Sequence, residues 1–562
     1  MSGMGGTGVG DTAASLRGQA EAWLEQDPDP RTRDELKAIL DAGDDAALAE
    51  RFGARLEFGT AGLRGALGAG PNRMNRVTVM RAAAGVARWL GSGRCVVIGY
   101  DARHRSADFA EDTAAVLTGA GCTALLLPRP LPTPVLAYAV RALGADAGIM
   151  VTASHNPPQD NGYKVYMGGE GPGAGSQIVA PVDAEISAAI DAVGPVSELK
   201  VGSGWTVVDE EIVERYLGAI TAVPLGSDRA VSVTYTPLHG VGASTLRAAF
   251  ERVGFPAPRL VPEQAEPDPD FPTVAFPNPE EPGAMDLALA VGRANGSDLV
   301  VANDPDADRV AVAVPGHGLL TGDEIGGLLA EYILRHTAGG DRVVATTIVS
   351  AGLLPKIAAD YGVRCVETLT GFKWLARAGG PGERNVFSYE EALGYCLGGD
   401  TSRPVADKDG ISAALAVAAM AAEAKRDGGR TLLDLLDDQA RRYGLHRTAQ
   451  VAVRVSDLAL LADTMRRLRA EPPRAFGSLE VEAIEDFAEG RGDLPATDAL
   501  RYRLGGPARA RITLRPSGTE PKLKAYLEVI LPVDGEVAET RAEADAHIEA
   551  LKEAVGRLFP QT

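Results

Sequence analysis

Cys95-Val96-Val97-Ile98-Gly99-Tyr100 is a short, nearly unbroken apolar run with three β-branched side chains in a row. It is too short for an ordinary helix, and its composition predicts a strand buried on both faces. Outward from it the pattern alternates. Residues 107–119 have helical spacing, and apolar runs at 124–127 and Ala147–Val151 read as further strands. Strands alternating with helices imply a mostly parallel sheet with helices on its faces. The pattern restarts with a strand at 231–235, a helix at 244–253 and a strand at 298–302. It restarts again with a strand at 342–349, a helix ending near 359 and a strand at 385–389. The end of the chain differs. Strand-like runs at 448–455, 508–514 and Lys522–Leu531 precede a helix over 536–558, an α+β arrangement. Residues 13–50 place charged and apolar positions at helical spacing. The expected organisation is a helical extension (1–50), three related α/β domains (51–225, 226–335 and 336–447) and a C-terminal α+β domain (448–562). The Pro- and acid-rich stretch 262–282 is expected to be an ordered excursion, because Phe271 and Phe276 can anchor it.

Length and composition agree with several cores. A chain of 562 residues corresponds to about three to five domains, and a hydrophobic fraction of 45% is that of a globular protein. No apolar run reaches the roughly 18 residues of a membrane span. The Gly-rich start, Met1 to Thr12, lacks a basic segment followed by an apolar one. It reads as a loose tail, and the protein is expected in the cytoplasm. Cys95, Cys122, Cys365 and Cys396 have no metal-ligand spacing and read as small core residues. A net charge of −20 argues against nucleic-acid partners and against anionic membranes. An anionic substrate must then be attracted locally, by clustered cations.

Four polar loops follow predicted strands, where sites in α/β domains lie. Thr152-Ala153-Ser154-His155-Asn156-Pro157 presents a hydroxyl beside an imidazole in a turn, as a nucleophile or as a surface turn. Asn161-Gly162-Tyr163-Lys164 just downstream offers Lys164 as proton carrier or phosphate ligand. Neither a Gly-x-Ser-x-Gly elbow nor a Gly-x-x-x-x-Gly-Lys-Ser/Thr loop is present, which weakens acyl transfer and nucleotide binding. Asp304-Pro305-Asp306-Ala307-Asp308-Arg309 alternates three carboxylates, which an extended loop would point one way. Such a trio repels by about 4 kcal/mol per pair at 4 Å and an effective dielectric of 20. A divalent cation relieves this, and hard oxygen ligands favour Mg²⁺ or Ca²⁺ over zinc. An EF-hand fails, because loop positions six and twelve would be Arg309 and Pro315. Asp306-Ala307-Asp308-Arg309-Val310 also fits aspartyl-phosphate phosphatases, with Asp306 as nucleophile. Arg515-Pro516-Ser517-Gly518-Thr519-Glu520-Pro521 combines a guanidinium fork with small residues able to nest an anion, or forms an ordinary hairpin. Glu390-Glu391 at a strand end can accept hydrogen bonds from sugar hydroxyls. Lys373-Trp374 is either a cation and ring beside them or a helix start with a core aromatic.

Together these loops, with Gly59-Thr60-Ala61-Gly62-Leu63-Arg64-Gly65, resemble the α-D-phosphohexomutases, the phosphoglucomutase/phosphomannomutase family. The resemblance spans nearly the whole chain. It implies three related α/β domains and a last domain like the TATA-binding-protein fold, around a central cleft. It implies phosphorylation of Ser154, Mg²⁺ held by that phosphate with Asp304, Asp306 and Asp308, and proton transfer and phosphate binding assisted by Arg64 and Lys164. It further implies substrate binding by Arg309, Lys373 and Glu391, a grip on the non-reacting phosphate by Arg515, Ser517, Gly518 and Thr519, and activation by glucose 1,6-bisphosphate or a related sugar bisphosphate. The family's usual sugar loop is Gly-Glu-x-Ser-Gly. Here Glu391 keeps the Glu, but Leu393 stands where the Ser would read a ring hydroxyl. Glu-Glu-Ala-x-Gly-Tyr and Phe58-Gly59-Thr60-Ala61-Gly62-Leu63-Arg64 are similar to the branch with phosphopentomutase-type and glucose-1,6-bisphosphate synthase-type members.

The expected activity is interconversion of sugar 1- and 6-phosphates, of glucose or mannose, through phosphoserine and a bisphosphate that turns over in the cleft. Arg103 and Arg105 are expected either on the wall of the first domain or in solvent. A pentomutase or bisphosphate synthase on the same scaffold, a phosphatase using Asp306, and a binding protein with a dead site are the alternatives. The partners expected are small sugar phosphates, with the protein a monomer or dimer.

Overall fold

The computed structural model describes residues 9–57, 62–171, 173–401, 403–454, 458–516 and 522–558. Three helices, Val9–Gln26, Pro30–Ala42 and Asp45–Phe52, form the N-terminal extension. Asp29 and Asp44 cap the second and third, their carboxylates accepting the N–H groups of Arg31 and Ala47. The loose tail expected over 1–12 is corrected from Val9 onward, where the chain is helical. Trp23, Leu36, Leu40 and Phe52 seat the extension against Val77, Met80 and Ala83 of the helix Arg76–Leu90.

The first sheet runs in the order Leu63–Ala66, Asp160–Met167, Ala147–Val151, Cys95–Tyr100, Thr123–Leu126, Thr206–Val207. Its last four strands are parallel, and the first two add on antiparallel. The second sheet is Gly318–Leu319, Val310–Val314, Leu299–Asn303, Val233–Thr236, Arg259–Leu260, and the third Arg364–Thr368, Arg342–Thr347, Arg384–Glu390, Gly394–Leu397. Both mix parallel strands with an antiparallel edge. The fourth sheet is wholly antiparallel: Leu445–Arg454, Lys522–Leu531, Arg509–Pro516, Leu500–Gly505, Leu479–Asp486, Ala475–Phe476. The helices Leu458–Ala470 and Val537–Gly556 pack on it through Leu461, Met465, Ala544 and Ile548. Three mixed α/β units and a C-terminal α+β unit are thus present. Among the described residues no helix is long and apolar enough to cross a membrane.

One apolar core runs through the first three sheets without a break, from Leu136 through Tyr216 and Val300 to Leu328 and Phe387. The helix Gly410–Arg426 is its centre. Its Ala-rich sequence is apolar nearly all round, so it is buried nearly all round. Asp409 caps it, accepting from Ile411 N, Ser412 N and the Tyr216 hydroxyl. That cap fixes the residues just before it, which reach the site.

The fourth sheet has its own core and meets the third through Ile348, Val349, Leu369 and Tyr526. A buried polar latch crosses the same boundary. Glu528 accepts from Gly352 N at 2.7 Å, pairs with Arg511 at 2.8 Å and with His446 at 2.7 Å. Burial pushes the Glu528 carboxyl up, but Arg511, His446 and the Gly352 N–H win and hold it down at about 2, below its ordinary 4.5. A carboxyl depressed on folding stabilises the fold above its unfolded value and loses that contribution as pH falls through the folded one. Glu528→Gln should therefore cost roughly 3 kcal/mol at neutral pH, because it removes the buried carboxylate that pairs with Arg511 and His446. The difference in chemical-unfolding midpoint from wild type should be full above pH 4.5 and shrink as the pH is lowered toward 2.

Candidate active site

The strand Ala147–Val151 ends at the serine loop. Ser154 takes φ 53°, a left-handed conformation that a non-glycine residue adopts at a cost of about 1 kcal/mol. The loop is held there from beneath. Arg103 donates to the carbonyls of Ser154 (2.6 Å), Asn156 (2.5 Å), Pro157 (2.9 Å) and Asp160 (3.2 Å). Asp101 lies 3.5 Å from its guanidinium and the Phe271 ring 4.9 Å from it. Phe271 belongs to the excursion over 262–282, which is ordered and brings Phe276 beside the His155 ring. Arg103 is thus neither a wall residue nor solvated: it is 4% exposed and braces the loop. Arg105 turns the other way and pairs with Asp29 and Asp108, so it too is no wall of the site.

The strand Leu299–Asn303 ends at the acidic loop, directly opposite. The loop is a turn rather than the extended segment the spacing suggested. Ala307 has φ 54° and its N–H bonds back to Asp304 O at 2.8 Å. The three carboxylates converge all the same, because the turn wraps them around one point. One oxygen of each of Asp304, Asp306 and Asp308 lies within 4.8 Å of the others, and all three residues are buried. The Ser154 hydroxyl donates to Asp304 Oδ2 at 2.9 Å. Lys164 Nζ reaches Asp306 Oδ2 (2.8 Å) and Asp308 Oδ2 (3.2 Å), and Thr133 Oγ1 donates to Asp306 Oδ2 at 2.7 Å. Burial, then Asp306 and Asp308, push the Asp304 carboxyl well above its usual range. Asp306 is buried as well, but the Lys164 ammonium and Thr133 hold it well below. Asp306 Oδ1 and Asp308 Oδ1 are buried without a hydrogen-bond partner. Converging carboxylate oxygens, two of them unsatisfied, form a donor set that suits a hard divalent cation.

His155 Nδ1 lies 3.1 Å from Ser154 Oγ. Burial, then Arg309 and Arg64, hold its imidazole well below the ordinary range, so the ring is neutral at pH 7. Arg64, on the strand Leu63–Ala66, donates to Asn156 Oδ1 at 3.1 Å.

These groups open onto a hollow of about 190 Å³ lined by all four sheets or their loops. Arg64, Ser154 and Lys164 come from the first, Asp308 and Arg309 from the second. Lys373, Glu390 and Glu391 come from the third and Arg515 from the fourth. Lys408, Lys524, Tyr526 and Gln177 also line it and escaped the sequence reading. Lys408 was findable: it sits in Asp407-Lys408-Asp409-Gly410, immediately before a capped helix, and its Nζ is 3.1 Å from Asp308 Oδ2. Lys524 and Tyr526 share one face of a strand whose alternation reads as ordinary sheet packing. The clustered cations supply the local attraction that the net charge of −20 withholds. Of the two readings of Trp374 the structure supports the packing one, against the cluster joining the third and fourth sheets. Phe372 lines the hollow in its place. Leu393 is 1% exposed and does not reach the hollow. Ser517, Gly518 and Thr519 lie outside the described residues.

Family descriptions agree with this layout. Phosphoglucomutase/phosphomannomutase α/β/α domain I matches residues 55–194, domain II residues 214–318 and domain III residues 321–443. The chain belongs to the α-D-phosphohexomutase family. A probable phosphomannomutase of Haemophilus influenzae is 41% identical over 81% of the chain and 93% of its own length. A mouse phosphopentomutase is 33% identical over 98% of the chain and 96% of its own. A crystal structure of a putative phosphomannomutase from Thermus thermophilus, 24% identical, superposes with a TM-score of 0.68 over 90% of the chain and 99% of its own and shares the fold. With the family comes the reaction class, intramolecular phosphotransfer, an isomerase activity.

Arg103 touches no reacting atom, so its part is to position the serine loop. Arg103→Lys replaces a planar fork with a single point donor. Misplacing a reacting group by about 1 Å costs on the order of 100-fold in rate. Steady-state assays should show that loss in kcat with an unchanged circular-dichroism spectrum.

Proposed function

We propose that this phosphohexomutase interconverts the 1- and 6-phosphates of glucose or mannose, with Ser154 carrying the phosphoryl group. The observation that carries the reading is the Ser154 hydroxyl 2.9 Å from Asp304 Oδ2, at the edge of a buried carboxylate trio and facing a cation-lined hollow. Phosphoryl transfer needs positioning and neutralisation of charge more than covalent chemistry. Asp304, Asp306 and Asp308, with a phosphoryl oxygen on Ser154, would hold Mg²⁺, whose chemistry there is to offset phosphoryl charge and polarise the P–O bond.

In the first half-reaction a sugar hydroxyl oxygen bonds to phosphorus and the Ser154 Oγ–P bond breaks. The hydroxyl proton leaves to a base and Ser154 Oγ regains one. In the second, Ser154 Oγ, giving up its proton, bonds to the phosphorus at the other end of the bisphosphate and that sugar O–P bond breaks. Neutral His155, 3.1 Å away, is placed to exchange that proton. Lys164 and Arg64 balance charge at the reacting end. Arg309, Lys373, Glu391 and Arg515, with Ser517, Gly518 and Thr519, bind the sugar and its distal phosphate. That remote binding orients whichever end faces Ser154, so the bisphosphate can turn over and return its other phosphate. A sugar bisphosphate such as glucose 1,6-bisphosphate primes the serine.

One observation favours a second substrate class. Leu393 is buried, so the sugar loop offers no side-chain hydroxyl there, and a pentose phosphate or bisphosphate synthesis fits the same scaffold. The aspartyl-phosphate alternative has no observation that favours it, and the relatives that match the chain bear the names of phosphomutases.

Ser154→Ala should abolish mutase turnover, and EDTA should do the same to wild type until Mg²⁺ is restored. The phosphoprotein formed with glucose 1,6-bisphosphate should survive hydroxylamine. A hydroxylamine-labile label, or wild-type turnover in Ser154→Ala, would sink the reading. Glu391 gives a pH test. Burial, then Glu390 and Asp323, push its carboxyl up to about 8. If the ionised form binds sugar hydroxyls, KM should fall as pH rises through about 8. Glu391→Gln should flatten that profile.

A further inference from the structure

We propose that Gln177 is a sugar-reading residue of this enzyme: its side-chain carbonyl accepts a hydrogen bond from one ring hydroxyl. The inference rests on the mutase reading above and goes one residue further. The usual hydroxyl reader of the sugar loop is missing. Leu393 is packed into the core, and Ala392, which does line the hollow, has no polar side-chain atom. One oxygen of each carboxylate of that loop is already engaged. Glu390 Oε1 accepts the Gly371 N–H at 2.8 Å, and Glu391 Oε2 takes the hydroxyls of Ser350 (3.3 Å) and Thr347 (3.4 Å). The lining lysines and arginines suit phosphate.

Gln177 enters the hollow from the first domain, facing that loop. Its backbone is pinned. Tyr166 bridges to it, Ile178 N bonds to Val165 O at 3.1 Å, and Met167 N bonds to Ser176 O at 2.8 Å. The side chain is pinned too: Nε2 donates to Asp407 Oδ2 at 3.0 Å. Asp407 is 1% exposed and 3.8 Å from the Lys408 ammonium. A carboxylate oxygen accepts hydrogen bonds, so the contact to Asp407 Oδ2 is made by the amide N–H and not by the amide oxygen. Oε1 therefore points away from Asp407, and no partner for it is found among the described residues. The residue is 9% exposed yet borders the hollow. An uncharged acceptor held in one orientation, among lining side chains most of which are charged, suits a neutral hydroxyl. Such a hydroxyl gains little from a second cation and loses a partner if the acceptor is removed.

The test compares wild type and Gln177→Met, a near-isosteric apolar replacement. The substrates are the hexose 1-phosphate turned over best and its monodeoxy analogues at ring positions 2, 3 and 4. Wild-type turnover of the parent sugar checks the mutase reading separately. The expected result is a loss of about tenfold in kcat/KM on the parent sugar, carried mainly by KM, in line with one hydrogen bond. On one deoxy analogue the variant should match wild type, because the hydroxyl that Gln177 reads is gone. Equal losses on the parent and every analogue, or no loss at all, would overturn the proposal. Ser154 phosphorylation by glucose 1,6-bisphosphate, read by intact mass, separates reading from scaffolding. Wild-type labelling in Gln177→Met supports the proposal, and its loss overturns it. Should Gln177→Met not fold, Gln177→Asn serves in its place under the same criteria, since it keeps the amide but shortens its reach.

Discussion

Like charges crowded in a dry place are the constraint on which the rest of this structure depends. Asp304, Asp306 and Asp308 share a point where each pair repels by several kcal/mol if nothing intervenes. Lys164 and Lys408 offset part of that repulsion from two different domains. The unsatisfied oxygens of Asp306 and Asp308 leave room for a cation and a phosphoryl group to offset the rest. The neutralising groups come from separate units, so the site exists only when those units are packed together.

The packing that achieves this is one core rather than three. The Ala-rich helix Gly410–Arg426 follows the third sheet in sequence and lies both against its strand Gly394–Leu397 and against the strands Leu299–Asn303 and Val310–Val314 of the second. Its cap, Asp409, is bonded by Tyr216, from the helix that follows the first sheet. Lys408 stands one residue before that cap, so its reach to Asp308 is set by the same buried contacts. The fourth sheet is joined differently, by a smaller apolar seam and the Glu528–Arg511–His446 latch. A separate core with a polar joint is the arrangement expected of a part that closes over a substrate.

Support beneath Ser154 follows the same logic. The strained Ser154 backbone persists because Arg103 takes the loop's carbonyls and is itself fixed by Asp101 and Phe271. Phe271 arrives from the excursion of the second domain. The loop that presents the hydroxyl and the loop that presents the carboxylates are therefore braced by each other's domains.

Local pattern was enough for much of this. Cys95–Tyr100, Ala147–Val151 and Lys522–Leu531 are strands within the limits the sequence suggested, because unbroken apolar runs declare buried strands. Short or polar strands such as Leu63–Ala66 and Thr206–Val207 carry no such signal. The serine loop and the acidic loop stood out in the sequence as well, because their residue types and spacing are distinctive there. The sequence could not show that the acidic loop converges by turning rather than by extending. Nor could it show that Arg103 is buried, that Trp374 packs at a seam, or that Gln177 and Lys408 share a wall. Those facts belong to residues far apart in the chain, and only the tertiary structure decides which of them meet. Burial and pairing, which set the charge and orientation of each group, come into being with that meeting.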